Sequence, residues 1–222
     1  MKTKFTRQEK LLNLLILHSA DCPSCVGLLT GQMGIVLTIA RYARIKGMAE
    51  LETIADTLLE NVLARAASLR NIGFASGLSG ICWGIEYLIQ HGILPGSGDE
   101  ICKKVDNHIM KNKISNMDDL SLETGTLGLW YYVWARIQGN LREMQPLPFS
   151  KEYLSDWFDF LTVHHDKFPA GASDRLYSAM NGHLIEEELN INQFIKRSRK
   201  LNENDLSLST GVAGYIETHY LY

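Results

Sequence analysis

At 222 residues with 45% hydrophobic content, the chain is long enough to bury a large core. A formal charge of -3 and a pI near 6.2 give no general attraction for nucleic acid, and four cysteines in a chain of this size do not make a disulfide scaffold. No stretch is long enough in apolar residues to span a membrane, and the cysteine usage points to a reduced, cytoplasmic setting.

The first twenty residues superficially resemble a signal peptide, with Lys2, Lys4 and Arg7 ahead of the apolar run from Leu11 to Leu17. Glu9 interrupts that pattern, the run is short, and Asp21 immediately before Cys22 spoils a lipoprotein-type processing site. A helix preceding the first repeat is the expectation. Next comes the one C-x-x-C of the chain, Cys22-Pro23-Ser24-Cys25, with His18 four residues upstream. These three side chains could hold zinc; a structural zinc site usually needs a second pair of ligands, so ordinary thiols are expected here.

A short signature then returns four times: Gly27-Leu28-Leu29-Thr30-Gly31-Gln32-Met33-Gly34, Gly73-Phe74-Ala75-Ser76-Gly77-Leu78-Ser79-Gly80, Ser121-Leu122-Glu123-Thr124-Gly125-Thr126-Leu127-Gly128 and Ser207-Leu208-Ser209-Thr210-Gly211-Val212-Ala213-Gly214. The spacing is 46 positions from Gly31 to Gly77, 48 to Gly125 and 86 to Gly211, the last close to two periods. That predicts about five stacked helical-hairpin units within one domain over residues 1–222, one of which has lost its signature.

Each signature opens an apolar run ending at a further glycine: Gly34 to Gly47, Gly80 to Gly92, Gly128 to Gly139. A hydroxyl before the first glycine (Thr30, Ser76, Thr124, Thr210) predicts an N-cap, and the later glycine a left-handed C-cap. The helices so bounded are apolar all round and hence buried. The segments after them are amphipathic, as in Leu51, Ile54, Ala55, Leu58, Leu59 and Val62 with Glu50, Glu52, Asp56 and Glu60 between. The glycine pairs Gly31/Gly34, Gly77/Gly80, Gly125/Gly128 and Gly211/Gly214 clear one flank of each first helical turn for another backbone. Leu94-Pro95-Gly96-Ser97-Gly98 reads as a turn, and the basic run Lys196 to Lys200 beside Glu186-Glu187-Glu188 as a solvated helix face.

Glu86 and Glu217 fall on buried helices and Glu123 at a repeat mouth. Paired carboxylates in an α/α ring would suit a glycosidase, and bonds to neighbouring helices are the structural alternative. His164-His165-Asp166 is expected at a helix end, in a capping role. The aromatics Trp130, Tyr131, Tyr132 and Trp134, and Tyr215, Tyr220 and Tyr222, are expected in the core, with any that reach the mouth offering a peptide-binding surface.

The signatures, and most closely Gly77-Leu78-Ser79-Gly80-Ile81-Cys82-Trp83-Gly84-Ile85-Glu86-Tyr87-Leu88, resemble the repeats of the lanthionine synthetase C (LanC-like) family over about residues 10 to 140 and 206 to 222. The resemblance implies an all-α fold, an α/α toroid drawn as a closed ring or open arc, with helix N-termini around the active site. It also implies a zinc ion, held by two cysteines and a histidine, that activates a thiol to add to a dehydrated residue. In the family those ligands and an acid/base histidine stand one or two positions before the first glycine of later repeats. Here the positions hold Leu29 and Thr30, Ala75 and Ser76, Glu123 and Thr124, Ser209 and Thr210. The expectation is therefore a LanC-like protein without the family's zinc motif. Such a member would bind a peptide or a modifying enzyme in ribosomal peptide maturation, without a resident cofactor and with a homodimer possible. The competing expectation is an active enzyme, either a cyclase with zinc on His18, Cys22 and Cys25 or a hydrolase using Glu86, Glu123 or Glu217.

Overall fold

The structure, a computed structural model, describes residues 5–19, 25–183, 185, 187–196 and 200–221. Among these residues every regular element is helical, which bears out the all-α class. The contacts fall into two compact units. One combines residues up to 71 with 75–77 and 190 onwards; the other comprises 72–74 and 78–189.

In the first unit, α1 (Arg7–His18) is the helix expected before the repeats. It opens with a capping box in which the Glu9 amide donates to Thr6 Oγ1 and the Thr6 amide to Glu9 Oε2, at 3.2 and 2.7 Å. Its buried face is Leu11, Leu12 and Leu15. α2 (Gln32–Lys46) is buried from Gln32 to Ala40 and stops at Gly47, whose φ of 65° is the left-handed cap read from the sequence. α3 (Ala49–Ala66) lays its apolar stripe, Leu51, Ala55, Leu58, Leu59 and Val62, along α2. Against α1 and α2 packs α9 (Val212–Tyr220), so the first and fourth signature-bearing repeats are neighbours.

In the second unit, α4 (Leu78–Gln90) is buried throughout from Leu78 to Leu88, and the chain turns at Gly92 with φ 64°. α5 (Gly98–Ile109) begins at Ser97, whose hydroxyl accepts from the Asp99 amide. α6 (Thr126–Arg142) packs on both α4 and α5. The predicted stop at Gly139 is corrected: α6 runs through it for another turn. That glycine is required by packing, because a Cβ there would lie 2.5 Å from Glu86 Oε2.

The stretch without a signature holds α7 (Lys151–Val163) and α8 (Ala172–Met180), followed by a short 3₁₀ turn at Ile191–Phe194. His164 is the C-cap residue of α7, and the capping bond is made by its main-chain amide to Phe160 O at 3.0 Å rather than by the side chain expected there. α8 buries only Ala172, Leu176 and Ala179, and Tyr177 is exposed. The hairpin has survived while the all-round apolar character of its second helix has not. α9 (Val212–Tyr220) closes the chain and belongs to the first unit.

Candidate functional site

The four signatures fold into one recurring loop at the start of each buried helix. The residue six positions before the first glycine is Cys25, Asn71, Asp119 or Asp205. In three repeats its carbonyl accepts the first helical amide: Gln32 to Cys25 at 3.0 Å, Thr126 to Asp119 at 2.8 Å, Val212 to Asp205 at 2.7 Å. The loop main chain therefore caps the helix.

This corrects the expectation for the hydroxyls. Gly31, Gly125 and Gly211 are the N-caps, and no side chain bonds the helix there. Thr124 Oγ1 instead donates to Asp119 Oδ2 at 2.6 Å, and Thr210 Oγ1 to Asp205 Oδ2 at 2.7 Å. In the other loops Ser76 Oγ accepts from Asn71 Nδ2 at 3.1 Å, and Thr30 Oγ1 lies 3.3 Å from Cys25 Sγ. Hydrogen bonds from Thr124 and the Ser121 amide hold the Asp119 carboxyl below its ordinary range. Burial pushes Asp205 upward, but bonds from Thr210 and Ser207 outweigh it and its carboxyl is also held low.

The glycine pairs follow from the same loop. A Cβ on Gly31, Gly125 or Gly211 would meet the carbonyl oxygen six residues back at 2.6, 2.3 and 2.2 Å. On Gly34, Gly128 or Gly214 it would meet the carbonyl of Leu28, Leu122 or Leu208 at 2.3, 2.1 and 2.1 Å. The approaching backbone anticipated from sequence is the repeat's own. Neighbouring loops press in as well: Leu208 Cβ lies 2.7 Å from the site of a Gly34 Cβ, and Phe74 Cβ 2.4 Å from that of Gly128.

The loops are stitched together at the positions where the family places its ligands. In the first unit the Leu29 amide donates to Ala75 O at 2.9 Å, the Ser209 amide to Leu29 O at 3.1 Å and the Lys196 amide to Ser209 O at 2.7 Å. In the second the Phe74 amide donates to Glu123 O at 2.9 Å. Leu29 and Ala75 are buried, while Thr30, Glu123, Thr124 and Thr210 face solvent. Beside these loops in the first unit, an open pocket of about 410 Å³ is lined by residues that include His18, Thr30, Glu203, Asp205 and Ser207.

A zinc ion of the family's type does not fit this donor set. In each loop those positions offer hydroxyls, one carboxylate (Glu123) or aliphatic side chains where thiolates and imidazole are needed, and the Asp119 and Asp205 carboxylates further back are already engaged by donors of their own loops. His18 is exposed at the end of α1 and Cys25 sits against Thr30, but Cys22, the third member of the alternative site, lies outside the described residues. Among the described residues no group of three His, Cys, Asp or Glu could hold a metal ion. Cys82 and Cys102 are buried, and contact with Cys82 together with burial pushes the Cys102 thiol well up, into its neutral form.

The three candidate carboxylates have separate settings. Glu123 is exposed at its loop. Glu217, fully buried on α9, pairs with Arg41 through Oε2, while among the described residues its Oε1 has no hydrogen-bond partner. Glu86 belongs to a buried network centred on Arg136, which was not anticipated. Arg136 Nη1 donates to Glu86 Oε1 at 2.7 Å and to Asn140 Oδ1 at 3.0 Å. Its Nε and Nη2 hold Asp106 Oδ2 at 3.0 and 2.8 Å, Nη2 also reaches Asp99, and the Tyr132 hydroxyl donates to Asp106. Burial raises the Glu86 and Asp106 carboxyls despite the arginine. Burial also opposes the charge on Arg136, but its bonds to Asp106 and the charges of Asp106 and Glu86 keep it firmly protonated. Gly98 is part of the same construction, since a Cβ there would lie 1.8 Å from Glu86 Oε1. The sequence signal for the network was an arginine inside an otherwise apolar helix, and the signal for the loop clamp was a small or polar residue recurring six positions before the glycine.

Fold and site together define a helical-hairpin repeat protein whose buried helices start from glycine-bounded, mutually bonded loops. The family model for lanthionine synthetase C-like proteins matches residues 25–222, and the chain belongs to that family. The match includes residues 140–205, where the signature is missing. Neither a search of curated proteins nor one of solved structures gave a significant match.

Proposed function

We propose that this chain is an accessory, catalytically degenerate LanC-like protein that binds a peptide or a peptide-modifying enzyme in ribosomal peptide maturation. One observation carries the reading. At the positions where the family's thiolate and imidazole ligands belong, this chain has no Cys or His, and two of the hydroxyls there, Thr124 and Thr210, are tied to Asp119 and Asp205 further back in their own loops. Loops whose side chains bond within the loop suit presenting a surface better than holding a metal. The hydrolase using Glu86, Glu123 or Glu217 is the weaker reading, because Glu86 is paired with Arg136 and Glu217 with Arg41, while Glu123 is exposed on its loop.

A cytoplasmic location and a single domain over residues 1–222 belong to the same proposal; the family match runs through both units. A homodimer also remains a proposal. The flanks of the first and last repeats cover each other through α1, α2 and α9, so pairing would use other surface, such as the exposed Val163 and Tyr177.

The test is elemental mass spectrometry of the purified protein, combined with incubation with a dehydrated, cysteine-containing precursor peptide. Less than about 0.1 zinc per chain, no thioether product and measurable peptide binding are expected. One zinc per chain with ring formation would overturn the reading and turn attention to His18, Cys22 and Cys25.

A further inference from the structure

Between α8 and the 3₁₀ turn, residues Glu187 to Leu189 run outside any helix, and side chains from other elements of the second unit hold them. Gln138 Nε2 donates to the Glu187 carbonyl at 2.8 Å and reaches the Ile185 carbonyl at 3.5 Å; Arg142 Nη2 donates to the Glu187 carbonyl at 3.0 Å. The Glu187 carboxylate takes the Trp134 indole N–H at 3.0 Å and the Arg175 guanidinium at 2.5 Å. Glu188 reaches His91 Nε2 at 3.2 Å, and Leu189 is buried. α6, α8 and His91 just past the end of α4 thus read a short acidic stretch through both its carbonyls and its carboxylates.

Gln138 supplies an independent observation. It is fully buried, and among the described residues its Oε1 has no hydrogen-bond partner. A side-chain amide can pair with a passing peptide by donating to a carbonyl and accepting an N–H. Here only the donating half is used. Buried polar atoms are nearly always satisfied, so an idle one facing a docked segment marks a seat its occupant fills incompletely.

We propose that α6, α8 and His91 form a binding site for a peptide carrying a carboxylate followed two residues later by an apolar side chain, and that the chain's own Glu187 to Leu189 occupies it at rest. This deepens the peptide-binding reading above and rests on it for the nature of the partner. The incoming peptide places its carboxylate between Trp134 and Arg175, its apolar side chain at the Leu189 seat and a main-chain N–H on Gln138 Oε1. The Arg175 guanidinium and the Trp134 indole N–H give the site a preference for acidic over neutral peptides.

The probe is a fluorescein-labelled peptide with the sequence of residues 184–190, Leu-Ile-Glu-Glu-Glu-Leu-Asn, followed by anisotropy. It is expected to bind Glu187→Ala at least tenfold more tightly than the unaltered protein, because the resident segment has lost its anchor. The gain should disappear when Arg175→Ala is added, or when Gln replaces every Glu of the probe. Equal binding to both proteins, or to neither while circular dichroism shows Glu187→Ala folded, would overturn the proposal. Should that variant not fold, the isosteric Glu187→Gln decides by the same measurement: at least threefold tighter probe binding than to the unaltered protein is expected, and no change refutes the site. Probe binding without any precursor binding would keep the site and discard the maturation role; precursor binding without probe binding would discard the site alone.

Discussion

Gly47 and Gly128 are glycines for different reasons, and substitution separates them. Gly47 has a positive φ with no atom within 4 Å of a Cβ, so Gly47→Ala meets only the left-handed penalty of about 1–2 kcal/mol and Gly47→Asn less. Gly128 has no such φ, but its Cβ would strike the Leu122 carbonyl and Phe74. Gly128→Ala should lower stability by about 3 kcal/mol, measured by denaturant unfolding, with Gly128→Asn no better. Arg136 poses a second residue-scale question, because it faces three carboxylates. Arg136→Leu should lower stability by about 3–5 kcal/mol, as it strands buried charge, whereas Glu86→Gln should cost far less. The sign with pH follows from the raised carboxyls. Glu86 and Asp106 bind protons more readily folded than unfolded, so their contribution to stability is present at low pH. It is lost as pH climbs from the ordinary carboxylate range through the raised values. Glu86→Gln should flatten that decline in urea titrations run across the acid range. The recurring glycines were legible in the sequence because a backbone constraint leaves the same residue every time. Arg136 was not, because one arginine in an apolar run says nothing of Glu86, fifty positions earlier in the chain.

At the scale of helices, the alternation of buried and amphipathic elements was readable from apolar periodicity alone. The end of α6 was not, since Gly139 looks like a cap and acts as clearance for Glu86. Helix propensity favours alanine over glycine by about 1 kcal/mol, so Gly139→Ala would stabilise an isolated α6. In the folded chain it should destabilise, because the neighbouring carboxylate is pinned by Arg136 and Gln90 and cannot swing aside. Combining Gly139→Ala with Glu86→Ala should recover part of that loss, and a double-mutant cycle in chemical denaturation reads the coupling. Strict additivity would show that the carboxylate is not what the glycine accommodates. The loop clamp was hidden for a related reason. Its anchoring position varies among Cys25, Asn71, Asp119 and Asp205, because in three of these loops the helix is capped by the carbonyl that every residue type carries.

Across the whole chain, the first unit is assembled from both ends of the sequence. α1 and α9 lie about two hundred residues apart yet pack together, with the Arg7 guanidinium over the Tyr215 ring. Removing residues 5–18 should therefore speed hydrogen exchange in α9 far more than in α6, which belongs to the other unit. Equal acceleration in both would mean that α1 supports the entire chain. During synthesis this arrangement imposes an order. α1, with its apolar face of Leu11, Leu12 and Leu15, leaves the ribosome about two hundred residues ahead of α9, the helix that packs on it. At about 5–20 residues per second, that interval lasts on the order of ten seconds or more. Throughout it the nascent chain displays an apolar helix, which makes α1 a natural place for a chaperone to hold.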